Sequence, residues 1–143
     1  MINLKAMRMY GLVAIGGAIG SVGRYWLGDL GTDVTHSFFP WGILWVNWIG
    51  CFAIGLFSEA TKATSMLPVS AETRNFLIVG ICGGFTTFSS FSLGALNLYV
   101  HHHALAAALY VLLSALGCMM TVSLGVWLIR FTQLTTADIK RRS

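Results

Sequence analysis

Apolar positions along the chain gather into four long runs separated by short polar stretches. The runs extend from about Met9 to Leu27, Pro40 to Phe57, Asn75 to Val100 and Ala104 to Phe131. Each is close to the ~20 residues that a helix needs to cross the hydrocarbon core of a bilayer, so four spanning helices are predicted. Pro40 suits the first turn of the second helix, where a missing N–H costs nothing. Ser70, with Glu72 behind it in the first turn, suits an N-cap for the third. The polar stretch Ser58 to Val69, with Pro68, reads as a solvent-side loop, and His101-His102-His103 marks the turn before the fourth helix. The tail after Thr132 is polar and is expected to fray. The first run has no small-residue cleavage site, which makes it a retained span instead of a signal peptide.

One run breaks its own pattern. Gly80-Ile81-Cys82-Gly83-Gly84-Phe85-Thr86-Thr87-Phe88-Ser89-Ser90-Phe91-Ser92 lies inside the third apolar stretch. Its two adjacent glycines carry the largest helix penalty short of proline, and Thr86-Thr87 adds two β-branched residues. Hydrocarbon offers no water to freed backbone groups, so such a break persists only where protein, a cavity or an ion satisfies them. The third helix is therefore expected to be interrupted at the membrane midplane, with carbonyls available to a small cation. If the helix resumes after Thr87, Phe88 and Phe91 share one face.

Composition agrees with a membrane protein. The 143 residues suffice for one domain, of which 56% are hydrophobic and 10% charged, and the mean hydropathy is +0.74. These values lie outside the soluble range. A net charge of +4 would hint at nucleic acid in a soluble protein. Here the basic residues stand at segment ends, where they set orientation, and no nucleic-acid partner is expected. An even number of spans puts both termini on one side, together with Lys5, Arg8, Lys62, Arg74, Arg130, Lys140, Arg141 and Arg142. The other side has Arg24, within the first span, with Asp29 and Asp33. The positive-inside rule places both termini in the cytoplasm. Cys51, Cys82 and Cys118 have no paired spacing and indicate neither a disulfide framework nor a zinc site.

Several polar residues inside the spans admit two readings. Gly16, Gly20 and Gly23 let another backbone approach closely. Arg24, next after them, either snorkels to the headgroups or draws anions to the mouth of a path. Asn47 either bonds across to a neighbouring helix or donates its NH₂ to a passing anion. Tyr110, Ser114, Gly117, Cys118, Thr121 and Gly125 form a narrow stripe on the fourth helix. It serves either helix packing, with hydroxyls bonded back to their own carbonyls, or a row of donors along a pore. Trp41 reads as an interface anchor, while Trp45 and Trp48 lie deeper. The three adjacent histidines read as a solvated turn, not a metal tract. No nucleophile–base pair, phosphate loop or dinucleotide fingerprint stands in a suitable context, so an enzyme is not expected.

These residues resemble the small bacterial fluoride channels called Fluc or CrcB. The anchors are Gly-Gly-x-x-Gly-x-x-x-Arg-Tyr ending at Tyr25, the Val46-Asn47 and Gly50 segment, and Gly83-Gly84-Phe85-Thr86-Thr87-Phe88-Ser89-Ser90-Phe91-Ser92. The resemblance implies an all-α antiparallel, dual-topology dimer of four-helix subunits in the cell membrane, with two narrow anion pores. Carbonyls matching Gly83 and Thr86, one pair from each subunit, would hold a structural Na⁺ at the dimer interface. Phe88 and Phe91 match the ring pair that lines the pores, and ring edges are positive enough to rest against a small anion. Asn47 matches a pore-lining amide, Tyr110 and Ser114 a polar track, and Arg24 the arginine near the vestibule. The implied function is passive F⁻ efflux that lowers cytoplasmic fluoride and protects against its toxicity.

The chain departs from that pattern at three points. Gly94 stands where many relatives carry an acid, and Ile43 where many carry a hydroxyl. The third departure is the charge asymmetry, since inserting one chain both ways usually goes with balanced loops. A homodimer is the expected assembly and a heterodimer of fixed, opposite orientations the alternative. Two other functions compete: a small antiparallel proton-coupled transporter, and a structural membrane protein with no transport role. The first would need an embedded carboxylate, and the spans carry none, since Glu59 ends the second and Glu72 opens the third.

Overall fold

The computed structural model describes residues 4–33, 38–62 and 68–142, and all the regular structure among them is helical. Residues 63–67 of the expected loop lie outside the described residues, as do the side chains of Asp29, Asp33, Lys140, Arg141 and Arg142. Helix α1 is Leu4–Asp33 and α2 is Trp41–Ala60. Helix α3 covers residues 71–85, α-helical over Ala71–Asn75, wound as a wider π-helix over Phe76–Cys82, and α-helical again over Gly83–Phe85. Helix α4 is Phe88–Val100 and α5 is Ala104–Arg142. Four segments are long and apolar enough to cross a membrane: Leu4–Gly28, Trp41–Ala60, Ala71–Val100 and Ala104–Thr135.

The helix ends obey local chemistry. Ser70 caps α3, its hydroxyl accepting the Thr73 N–H at 3.2 Å, as the sequence leads one to expect. Pro40 precedes the first helical residue of α2, one position earlier than its suitability for the first turn suggests. The turn at His101-His102 is closed by His102 in the left-handed region, at φ 64°. The polar tail does not fray after Thr132. Helix α5 continues to Arg142, because Thr132 to Ala137 contains no glycine or proline to stop it.

Small residues set how the helices cross. On α1, a Cβ at Gly16 would sit 2.8 Å from the Phe76 carbonyl oxygen, and one at Gly20 would collide with that of Ile81. From the other side, a Cβ on Gly84 would strike the Gly17 backbone. The α1 glycines thus serve the close approach of α3, with backbone against backbone. Helices α2 and α5 make a similar seam where Gly55 meets Val122 and Gly125 meets Phe52 and Leu56. Higher on that seam the Trp48 ring lies on Gly117 and its Nε1 donates to the Leu113 carbonyl at 3.2 Å. Trp48 is therefore a packing residue, while Trp45 is exposed.

Few side chains are buried. The apolar core consists of Leu44, Val46, Cys82, Leu98, Ala107 and Tyr110, whereas large apolar residues such as Ile15, Ile19, Leu116, Met119, Met120 and Trp127 are exposed. In water so much continuous apolar surface would drive aggregation, and in a bilayer it is the proper outer face. Apart from Arg24 within the first span, the described charges stand near the ends of the apolar runs. Arg8 meets Glu72 at 3.5 Å, joining the second turn of α1 to the first turn of α3. Glu59, at the end of α2, takes Lys62 at 2.6 Å and Arg130 of α5 at 3.2 Å. In a chain that crosses four times, both junctions stand on the side to which the charge count assigns the basic residues.

Candidate functional site

The site is built on the two residues where helical hydrogen bonding stops. Thr86 has φ −75° and ψ 156° and Thr87 has φ −146° and ψ 122°, both extended, and α4 begins at the next residue. The glycines Gly83 and Gly84 remain helical. The reason lies in the side chains. Gly84 is taken up by its contact with α1, whereas β-branched threonine is at ease in an extended backbone. Thr87 also caps α4: its Oγ1 accepts the Ser90 N–H at 3.1 Å and donates to Ser90 Oγ at 3.1 Å.

Asn47 closes the gap from α2. Its Oδ1 accepts the Thr87 N–H at 2.8 Å, and its Nδ2 donates to the Thr87 carbonyl at 3.0 Å. One side-chain amide thus takes the place of a neighbouring peptide. Of the two readings of Asn47, the interhelical bond is present, and the second N–H of its NH₂ is left for another acceptor. The clamp has consequences for two carbonyls. In an unbroken helix Gly83 would receive the Thr87 N–H and Thr86 the Ser90 N–H. Those donors go to Asn47 and to the Thr87 hydroxyl instead. The Gly83 and Thr86 carbonyls are thereby stripped of their helical partners, and Gly83 is exposed. Two peptide oxygens in this condition suit a hard cation such as Na⁺.

Beside the clamp runs a groove of about 310 Å³, lined by Asn47, Thr87, Phe88, Phe91 and Ser114, with Cys51 and Cys118 below. Phe88 and Phe91 do share a face, with ring centroids 5.6 Å apart and planes inclined by 48°. The Phe91 ring lies 5.4 Å from that of Tyr110, which Phe39 meets edge-on at 5.5 Å on another side. Tyr110 is fully buried, yet its hydroxyl and the hydroxyl of buried Ser114 have no hydrogen-bond partner. A buried orphan of this kind costs about 1–3 kcal/mol, and the two hydroxyls, one helical turn apart, have capacity for a further polar species. The groove contains no charged side chain. It offers hydroxyls, an amide N–H and ring edges, a donor set suited to a small dehydrated anion that must also be able to leave.

The remaining expected residues fall elsewhere. Arg24 lines a separate cavity of about 500 Å³ with Ser21, Tyr25, Ile43 and Ser90, and Thr87 is the wall between that cavity and the groove. Ile43 and Gly94 border a third cavity of about 660 Å³ at the His101 turn, where Ser90, Asn97, His101 and His103 supply polarity. Of the two departures, Gly94 adjoins the Tyr110 hydroxyl, 3.4 Å from where a Cβ would stand, and Ile43 also lines the Arg24 cavity. The α5 stripe divides: Ser114 and Cys118 line the groove, Tyr110 is buried behind Phe91 with its hydroxyl towards Gly94, and Gly117, Gly125 and the back-bonded Thr121 serve packing. Sequence reasoning does not single out Ser90, although Thr87 three residues before it carries an N-cap signature that could have found it.

A multi-span helical membrane protein with an uncharged, ring-lined polar groove at an interruption of its third span belongs among the passive anion conductors in chemistry. The sequence profile of the family described as "CrcB-like protein, Camphor Resistance (CrcB)" matches residues 11–126. A protein of Paramagnetospirillum magneticum named "Fluoride-specific ion channel FluC" is 47% identical over 119 residues, covering 83% of this chain and 93% of that one. Proteins of the same name from Rhizobium etli and Rhodospirillum rubrum are 45% and 44% identical over 119 residues, covering 94% and 89% of their own lengths. The chain belongs to the CrcB family.

Proposed function

We propose that this protein is a fluoride-specific channel of the cell membrane, through which F⁻ leaves passively and cytoplasmic fluoride is kept low. The relatives that share nearly half its residues bear that name, and the groove has the chemistry the task requires. Fluoride is small and strongly hydrated, so its water must be replaced by donors without a buried cation that would trap it. The unpartnered hydroxyls of Tyr110 and Ser114, next to the Phe88–Phe91 pair, are the observation that carries this reading. Asn47 contributes its remaining N–H, and Arg24 acts from its own cavity as a positive lure. The negative-inside potential drives the anion out at about 2.3 kcal/mol per 100 mV. No step is catalytic, and the protein is not an enzyme.

The groove lacks a wall, since Phe88 is 79% exposed in one chain. A second subunit in antiparallel orientation would supply it, closing two symmetric pores. In that dimer the Gly83 and Thr86 carbonyls of both subunits would hold Na⁺, whose charge ties the two interruptions together. A homodimer is the simpler assembly. A heterodimer is its alternative, favoured by the charge asymmetry.

Fluoride efflux from liposomes, monitored with an ion-selective electrode, tests the function. Rapid release that persists without a proton gradient is expected. Absence of release from well-inserted, monodisperse protein would overturn the reading.

A further inference from the structure

Cys51 and Cys118 are unrelated by spacing in the sequence but are brought together by the α2–α5 seam. Both line the same groove, Cys51 from α2 and Cys118 from α5. Cys118 stands four residues after Ser114 and so continues the same face of α5 towards Cys51. Cys82 behaves differently: it is 2% exposed and fills the core as a small apolar side chain. Cys51 and Cys118 are half-buried and open to the groove. Among the described residues no cluster of three or more His, Cys, Asp or Glu could hold a metal, so a four-ligand zinc site is not available. Two thiols alone suit a soft cation that accepts linear coordination.

We propose that Cys51 and Cys118 form a two-thiol site for a soft d¹⁰ cation of the Cu(I) or Hg(II) class. Both S–H bonds break, two metal–sulfur bonds form and two protons pass to water, so no oxidant or reductant is required. The bridged pair has no net positive charge, because two thiolates cancel Hg²⁺ and outweigh Cu⁺. It therefore gives fluoride no new attraction and fills the lower groove with a bulky group that donates no hydrogen bond. On the reading of the groove as the fluoride path, occupancy stops conduction.

The probe is HgCl₂ with purified protein carrying Cys82→Ser, which leaves two thiols. One molar equivalent should remove both from reaction with a thiol-specific dye. A requirement for two equivalents, one per thiol, would overturn the bridge. If Cys82→Ser fails to fold, native mass spectrometry of the unaltered chain serves instead. One Hg bound per chain with loss of two protons is expected, and retention of this product in Cys51→Ser would overturn the assignment. In liposomes, Hg²⁺ should cut fluoride efflux at least tenfold, reversibly with dithiothreitol, and Cys51→Ser should resist it. A bridged pair with undiminished efflux would leave the metal site standing and remove the groove from the fluoride path, which separates the two ideas.

Discussion

Asn47 is the residue on which the interruption depends. Its amide makes two hydrogen bonds to the Thr87 backbone, at 2.8 and 3.0 Å, and is itself 8% exposed. In Asn47→Ala, the Thr87 N–H and C=O are left in an apolar interior at about 1–3 kcal/mol for each orphaned group. A clear fall in melting temperature in detergent is expected, together with loss of flux. Unchanged stability would mean that the clamp is dispensable. Phe88 and Phe91 are of another kind. With Phe88 79% exposed in the single chain, truncating its ring removes little packing within the subunit. Phe88→Ile should therefore suppress fluoride efflux while leaving the protein folded and monodisperse, and Phe91→Ile, which also gives up packing on Tyr110, should suppress efflux with a lower melting temperature. Wild-type efflux in both variants would refute a pore lined by these rings.

At the scale of elements, the crossing of α1 and α3 depends on glycines that face backbone, which cannot move aside as a flexible side chain can. Gly20→Val should therefore abolish stable expression, since even a Cβ there meets the Ile81 carbonyl and comes within 2.8 Å of the Phe85 nitrogen. Gly11, on the same helix, has nothing within 4 Å of where its Cβ would stand. Gly11→Ala should be neutral or stabilising by up to ~1 kcal/mol, because alanine loses less backbone freedom than glycine on entering a helix. Thermal melts of the two variants, with expression level for the first, check the contrast. The Glu59 cluster joins α2 to α5 more weakly than its short distances suggest. Its partners Lys62 and Arg130 have side chains 43% and 61% exposed and regain water readily if released.

If the subunits pair as proposed, the whole molecule is half of a larger object, and two measurements address that. A cation held by the Gly83 and Thr86 carbonyls binds the assembled state and stabilises it by mass action, about 2.7 kcal/mol at a hundredfold excess over its dissociation constant. The dimer should accordingly melt at a higher temperature in Na⁺ than in an equal concentration of N-methylglucamine. Equal melting points would argue against the ion. Orientation is the second matter. A tag on the C-terminus, tested with an impermeant label, should react from both faces of the membrane if the chain forms an antiparallel homodimer. Labelling from one face alone would exclude dual insertion and require a different partner chain.

Four apolar runs and the placement of charge at their ends were sufficient to specify a polytopic helical protein, because burial in lipid imposes a length and a composition that sequence displays directly. The local weakness of the third run was equally legible, as was the cap at Ser70. Its exact seat was not: the threonines unwind and the glycines stay helical, since that choice depends on α1 pressing against Gly84 and on Asn47 reaching Thr87 across forty residues. The same holds for the division of the α5 stripe into packing and groove, for the wall that Thr87 makes between Arg24 and the ring pair, and for the convergence of Cys51 and Cys118 on one groove. Each is a relation between side chains on different helices, and no periodicity within one helix encodes its distance to another.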